Sequence, residues 1–370
     1  MSHTSEQLKS RSRAIDILRA VSIILILGRH MDRCPAQVSP WLHRFTDLWE
    51  NGGWLGVDFF FVLSGFLVSG LLFREYERHG DISPRNFLIR RGFKIYPSFW
   101  LLIVVSLVVI MLRHDRLKPW AVISELCFVQ NYGPQLLAHT WSLAVEEHFY
   151  FFLALLMWLG TRIKAANHFR LLPVVFATLA VGCLLLRLLT HHTLPGFIDK
   201  LHLYPTHLRM DSLFAGVLIS YYYHRHPGAF MKFARRWRWP MLVAGLALLA
   251  PGFALRLKSS PFVSTYGLTC FYTGSGLVLM AMLTVQIPRN FLASALAYVG
   301  AYSYSIYLWH VPVAMWLVPW LTGPVKAERN WFIYFAVYTL GAIGLGILTG
   351  NIVEFPMLRL RDRWFPSRTR

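Results

Sequence analysis

Arg19 and His30 stand eleven residues apart near the start of the chain. At about 100° per residue that separation is roughly 20° past three full turns, so on a helix both side chains share one face, about 16 Å apart along the axis. Histidine ionises near neutrality and is the ordinary general base for taking a proton from a hydroxyl; at a helix end it also needs no role beyond an interfacial one. Residues 139–150 read HTWSLAVEEHFY. Glu146 and Glu147 fall in the first turn of the helix this stretch predicts, with Ser142 as its cap, where carboxylates answer the helix dipole. A carboxylate beside an imidazole would also orient it and raise its basicity. Arg209 and Asp211 open a further helix as a charge pair, as apt for joining helices as for catalysis. Asp58, in an apolar run beside Gly53 and Gly56, reads as a polar contact, and His310, deep in another run, as a core or site histidine. Arg90, Arg91 and Lys94 lead into an apolar stretch. They suit either a phosphorylated ligand from the cytoplasm or positive-inside anchoring. No GxxxxGK[ST] or HExxH pattern occurs, so triphosphate hydrolysis is not indicated and no metal is expected.

These groups need a scaffold, and composition says which kind. Of 370 residues, 55% are apolar and 15% charged, against about 45–50% and about 25% for a soluble domain. Mean hydropathy is +0.44. Ten apolar runs approach the roughly 20 residues of a spanning helix: 14–31, 54–74, 95–113, 144–161, 171–190, 208–224, 239–256, 263–285, 297–319 and 331–353. With both termini cytoplasmic, the inner segments hold 23 Lys and Arg and the outer segments 10, the bias expected of a multi-pass protein. The net charge of +19 is absorbed by that rule, and no nucleic-acid partner is expected. The prediction is an all-α polytopic membrane protein, a bundle of about ten transmembrane helices. Basic cytoplasmic tails at 1–13 and 355–370 flank a membrane domain at 14–354. Asp16 and Arg19 interrupt the first run, and no small-residue cleavage site follows it, so it is not read as a cleaved signal. The four cysteines read as buried thiols, with a Cys34–Cys127 disulfide left open because both fall in outer segments.

By this topology the polar groups separate by leaflet. His30, Glu146, Glu147, Arg209 and Asp211 lie outside; Arg19, Arg90, Arg91 and Lys94 lie inside. Each ionisable group within a bilayer costs at least about 2.5–3.5 kcal/mol, so it marks function or helix pairing. An acid–base set outside and a cationic set inside suit an enzyme whose substrates arrive from opposite sides. They equally allow a transporter or flippase of a lipid-linked sugar.

Six stretches, RAIDILRAVSIILILGRH (13–30), GVDFFFVLSGFLVSGLL (56–72), RRGFKIYP (90–97), HTWSLAVEEHFY (139–150), THLRMDSLFAGVL (206–218) and YSYSIYLWH (302–310), occur in an order that resembles the acyltransferase-3 family of integral-membrane O-acyltransferases. The resemblance implies ten transmembrane helices and acyl-CoA, often acetyl-CoA, as donor from the cytoplasm. It implies transfer to a hydroxyl of a carbohydrate or similar acceptor, possibly lipid-linked, in cell-envelope polysaccharide modification at the bacterial cytoplasmic membrane. The family's Arg-x10-His pattern falls on Arg19 and His30. Its Arg-x-x-Arg pattern falls on Arg91 and Lys94, where lysine keeps the charge but not the bidentate phosphate contact. Its WSLxxE element falls on Trp141, Ser142, Leu143 and Glu146. The catalytic set is then His30, Glu146 and Arg19, the donor-binding set Arg90, Arg91 and Lys94, and the substrate-side polar set Glu147, Arg209, Asp211, His310 and Asp58. His30 would take the acceptor's proton or first receive the acyl group itself; Glu146 would orient His30 or stabilise its cation. Some members carry a fused outer SGNH-type esterase domain, and the expectation here is the membrane domain alone. A flippase, or a non-catalytic partner in an envelope polysaccharide complex, stays the alternative.

Overall fold

The computed structural model describes residues 2–163, 167–194, 196–322 and 330–368, and among them the regular structure is helical, with no strand. Of the cations counted for topology, Lys164, Lys326, Arg329 and Arg370 lie outside the described residues. In chain order the helices are α1 Ser2–Arg29, α2 Pro40–Gly52, α3 Leu55–His79, α4 Pro84–Leu112, α5 Pro119–Leu126, α6 Trp141–Arg162, α7 Leu172–Thr193, α8 Asp199–His202 and α9 Met210–Arg225. They continue as α10 Pro227–Arg236, α11 Arg238–Ala254, α12 Leu268–Met282, α13 Phe291–Ala301, α14 Ser303–Pro312, α15 Val318–Thr322, α16 Trp331–Thr349 and α17 Phe355–Trp364. A helix satisfies its own backbone groups, which is what a chain this apolar requires where lipid supplies no partners. Local signals set several starts. The Ser39 and Ser83 hydroxyls accept the Leu42 and Asn86 amides, each at 3.3 Å, and proline follows both caps. Proline there has no amide to leave unpaired.

All ten predicted spans are helical. Among the described residues five helical stretches are long and apolar enough to cross a membrane: Pro40–His79, Pro84–Leu112, Ala138–Arg162, Leu172–Thr193 and Trp331–Trp364. A sixth is made if Phe291–Ala301 and Ser303–Leu321, bent by 69°, count as one span. The helices at the expected sixth, seventh and eighth spans are shorter, at 16, 17 and 15 residues for α9, α11 and α12. Exposed apolar stripes run along α4 (Trp100, Val104, Val108, Met111), α6 (Phe151, Leu155, Leu159) and α7 (Val181, Leu185, Leu189). Their three- and four-residue spacing lays each stripe on one helix face, and contiguous exposed apolar surface of this kind is suited to lipid.

The chain forms two compact units, residues 1–63 with 228–349, and 64–227 with 350–370. In the first unit α1 packs on α13, α11 on α12 and α14 on α16. A Cβ at Gly300 would lie 1.7 Å from the Asp16 carbonyl oxygen, so α1 and α13 meet backbone to backbone, as small residues permit between membrane helices. In the second unit α4 packs against α6, α17 and the π-helical turn Gly350–Glu354, and α7 against α9.

Residues within both predicted tails are helical. Residues 2–13 continue α1, because nothing in SHTSEQLKSRSR breaks a helix. Residues 355–364 form α17, and Trp364 and Phe365 lie 6.2 Å and 5.7 Å from the Phe93 ring of α4. Met357, Leu360 and Trp364, spaced three and four residues apart, share one face of this helix. The cysteines also diverge from a uniformly buried set: Cys34 and Cys183 are buried, Cys270 is intermediate, Cys127 is exposed, and all four are free thiols.

Candidate active site

In the first unit, α1 carries Arg19 and ends at Arg29, so His30 is the first residue beyond the helix. Its amide donates to the Leu27 carbonyl at 3.2 Å, a tightened last turn. The chain around it is pinned from two sides. On the α2 side Arg29 pairs with Glu50 at 3.0 Å and lies 4.5 Å from the centre of the Trp54 ring, while Arg33 pairs with Asp47 at 2.7 Å and with Glu50. On the α16 side the Tyr334 hydroxyl accepts the Asp32 amide at 3.0 Å, Trp331 Nε1 donates to the Asp32 carbonyl at 3.0 Å, and the Tyr338 hydroxyl donates to the Leu27 carbonyl at 3.1 Å. The His30 ring thus has a fixed root.

That ring meets His310 of α14, with centroids 4.9 Å apart and planes inclined by 62°. His310 is fully buried. Its Nδ1 lies 2.6 Å from the Tyr307 carbonyl oxygen; a carbonyl only accepts, so Nδ1 carries the proton. The Tyr307 ring packs 6.4 Å from Phe60. The two histidines, weighed separately in the sequence, form one contact in the fold. Asp58 is buried in the first turn of α3. Arg19 is partly exposed, 3.8 Å from Asp16.

In the second unit Arg91, Glu146 and Glu147 gather around two tyrosines. The Arg91 guanidinium lies 4.6 Å from the centre of the Tyr150 ring. The Tyr150 hydroxyl donates to Glu146 Oε2 at 2.6 Å. A phenol has one proton to give, so the Ser64 hydroxyl, 2.8 Å away, donates to Tyr150. Tyr96, two residues beyond Lys94, donates to Glu147 Oε2 at 3.0 Å. The start of α6 sets which turn carries the two glutamates. α6 begins at Trp141, with Thr140 at the cap position, so Ser142 is inside the helix and the two glutamates lie in its second turn. Neither glutamate lies in the first turn; Glu147 meets Tyr96 of α4, and Glu146 meets Tyr150 of its own helix.

The predicted donor-binding cations also have protein partners. Arg90 pairs with Asp362 of α17 at 2.9 Å and donates to the Phe365 carbonyl. Lys94 pairs with Glu354, which is buried at the end of the π-helical turn. Asp211 pairs with Arg187 of α7 at 2.6 Å, both side chains fully buried, and Arg209 is buried one residue before α9. Sequence reasoning passed over Tyr96, Tyr150, Arg187 and Asp362. Tyr150 alone had a local signal, standing four residues after Glu146 on one helix face.

A family profile described as Acyltransferase domain, that of the acyltransferase-3 family, matches residues 12–350. The peptidoglycan O-acetyltransferase OatA of Listeria monocytogenes is 26% identical over 394 residues, covering 96% of this chain and 57% of the relative. The O-acetyltransferase OatA of Staphylococcus aureus strain NCTC 8325 is 27% identical over 369 residues, covering 93% of this chain and 56% of the relative. The chain therefore spans a little over half the length of these curated relatives. No solved structure matches it.

Proposed function

The chain belongs to the acyltransferase-3 family, and from that premise we propose that it is a membrane O-acetyltransferase. It takes the acetyl group of acetyl-CoA from the cytoplasm and passes it to a hydroxyl of a cell-envelope carbohydrate. Ten crossings, cytoplasmic termini and a place in the bacterial cytoplasmic membrane belong to the same proposal. The observation that carries it is the fixed His30, rooted between α2 and α16 and held against a second imidazole, within the segment the family profile matches.

In the transfer step His30 takes the proton of the acceptor hydroxyl. The oxygen attacks the thioester carbonyl, the carbon–sulfur bond breaks, and the departing thiolate of CoA takes the proton from His30. Arg19 and Glu146 stay in the catalytic set. The CoA phosphates dock on Arg91, Arg90 and Lys94. Arg90 and Lys94 exchange carboxylate partners for phosphate, while Arg91, stacked on Tyr150, offers a planar fork already oriented. The acceptor class follows the relatives, one of which is a peptidoglycan O-acetyltransferase.

The test is turnover of radiolabelled acetyl-CoA by purified protein with an envelope glycan, wild type beside His30→Ala. Label transfer or release by the wild type, reduced at least about 100-fold in the variant, is expected for loss of the base, with unchanged melting temperatures. Full activity in a folded His30→Ala protein would sink the mechanism. No turnover by the wild type, together with ATP- or gradient-independent movement of a lipid-linked sugar in vesicles, would replace the enzyme by a flippase.

A further inference from the structure

His310 is buried, belongs to a different helix from His30, and is a poor choice for a second base when one base suffices. Its surroundings give it another task. The Nδ1–H is committed to the Tyr307 carbonyl at 2.6 Å, so in the neutral ring the lone pair is on Nε2. The rings of His30 and His310 are 4.9 Å apart by centroid. Two imidazoles joined by a nitrogen-to-nitrogen hydrogen bond have centroids about 5 Å apart, two ring radii plus a bond of about 3 Å. The observed separation is the one such a bond requires.

We propose that His310 is the positioning residue of His30: its Nε2 accepts the N–H of the His30 nitrogen that does not react, and so fixes the tautomer that leaves the reacting nitrogen bare. The inference rests on the acetyl-transfer reading above. A base needs its second nitrogen held, a task more often given to a carboxylate. A neutral imidazole does it without adding a negative charge inside the membrane, where each charge is costly. The Tyr307 bond is local to α14, three residues back along the helix, so His310 is oriented before His30 leans on it.

The experiment measures kcat and KM for acetyl-CoA in wild type, His310→Asn and His310→Gln, each also in a His30→Ala background, with melting temperatures as the folding control. Asparagine keeps a donor for the Tyr307 carbonyl but places nothing at Nε2; glutamine places an amide oxygen there. The expected result is a kcat loss on the order of 100-fold in His310→Asn, the scale of a mispositioned general base, with KM unchanged. Recovery of roughly tenfold in His310→Gln and no further loss in the His30→Ala background are also expected. Wild-type activity in His310→Asn overturns the inference. So does equal damage in the asparagine and glutamine variants, or a further loss in the His30→Ala background, because those outcomes describe a structural residue. Absence of turnover by the wild type instead overturns the transfer reading, and this inference with it.

Discussion

At Glu125, in α5, burial and hydrogen bonding oppose each other. Its Oε1 accepts the Thr140 hydroxyl at 2.9 Å and the Leu136 amide at 3.1 Å, and its Oε2 is buried. Burial wins over those bonds and pushes the carboxyl up to about 7 from an ordinary value of 4.5. The folded protein therefore holds this proton after the unfolded chain has released it. Below the unfolded value the stabilisation is complete; it declines as pH rises and is lost through pH 7. The whole change is about 3 kcal/mol. In detergent, melting temperature should fall between pH 5 and pH 8, and Glu125→Gln should flatten that part of the curve. Parallel curves for the two proteins would place the pH dependence elsewhere. A different balance holds Arg187 and Asp211, two fully buried charges at 2.6 Å, each of which would be stranded at high cost without the other. In sequence Asp211 reads as the partner of its neighbour Arg209; the fold adds Arg187, from inside another apolar run.

Among the elements, α17 changes the reading of the cationic patch most. Three cations leading into α4 look like a ready phosphate site. The fold places Asp362 on Arg90 and Glu354 on Lys94, so at the proposed donor site phosphate would compete with carboxylate. Asp362→Asn removes one competitor and one repulsive charge while leaving Arg90 in place. KM for acetyl-CoA should fall about two- to fivefold, the scale of a partly exposed ion pair, and the difference should shrink as salt rises. An unchanged or raised KM would mean that Asp362 organises the patch instead of occupying it. The start of α6 makes a related point. A start at 144 puts Glu146 in the first turn; the actual start at Trp141 moves both glutamates inward, to Tyr150 and Tyr96.

For the whole molecule, orientation rests on the bias of 23 inner against 10 outer cations. Cys127 tests it, being an exposed free thiol in a segment assigned to the outside. A membrane-impermeant maleimide should label it in intact spheroplasts, and Cys127→Ser should lose that signal. Labelling only after the membrane is opened would invert the proposed topology.

The sequence by itself determined the class of scaffold and picked out the candidate residues for chemistry. Apolar runs of helical length, too few charges for a soluble surface and the Arg19–His30 register are all local properties, and local periodicity survives folding because a helix satisfies its own backbone. His30 and Glu146 stood out as candidates because an ionisable group in an apolar run is costly and therefore conspicuous, and Arg91 because it belongs to a cation cluster leading into such a run. Partnership was decided only in the tertiary structure. His310 reaches His30, Tyr150 links Arg91 to Glu146, and α17 brings Asp362 to Arg90. Each of these depends on how closely separate helices approach and how each is rotated about its axis. Such approaches are set by small residues at the crossings, Gly300 over the Asp16 carbonyl among them, and one residue's change in where a helix begins turns its side chains by about 100°.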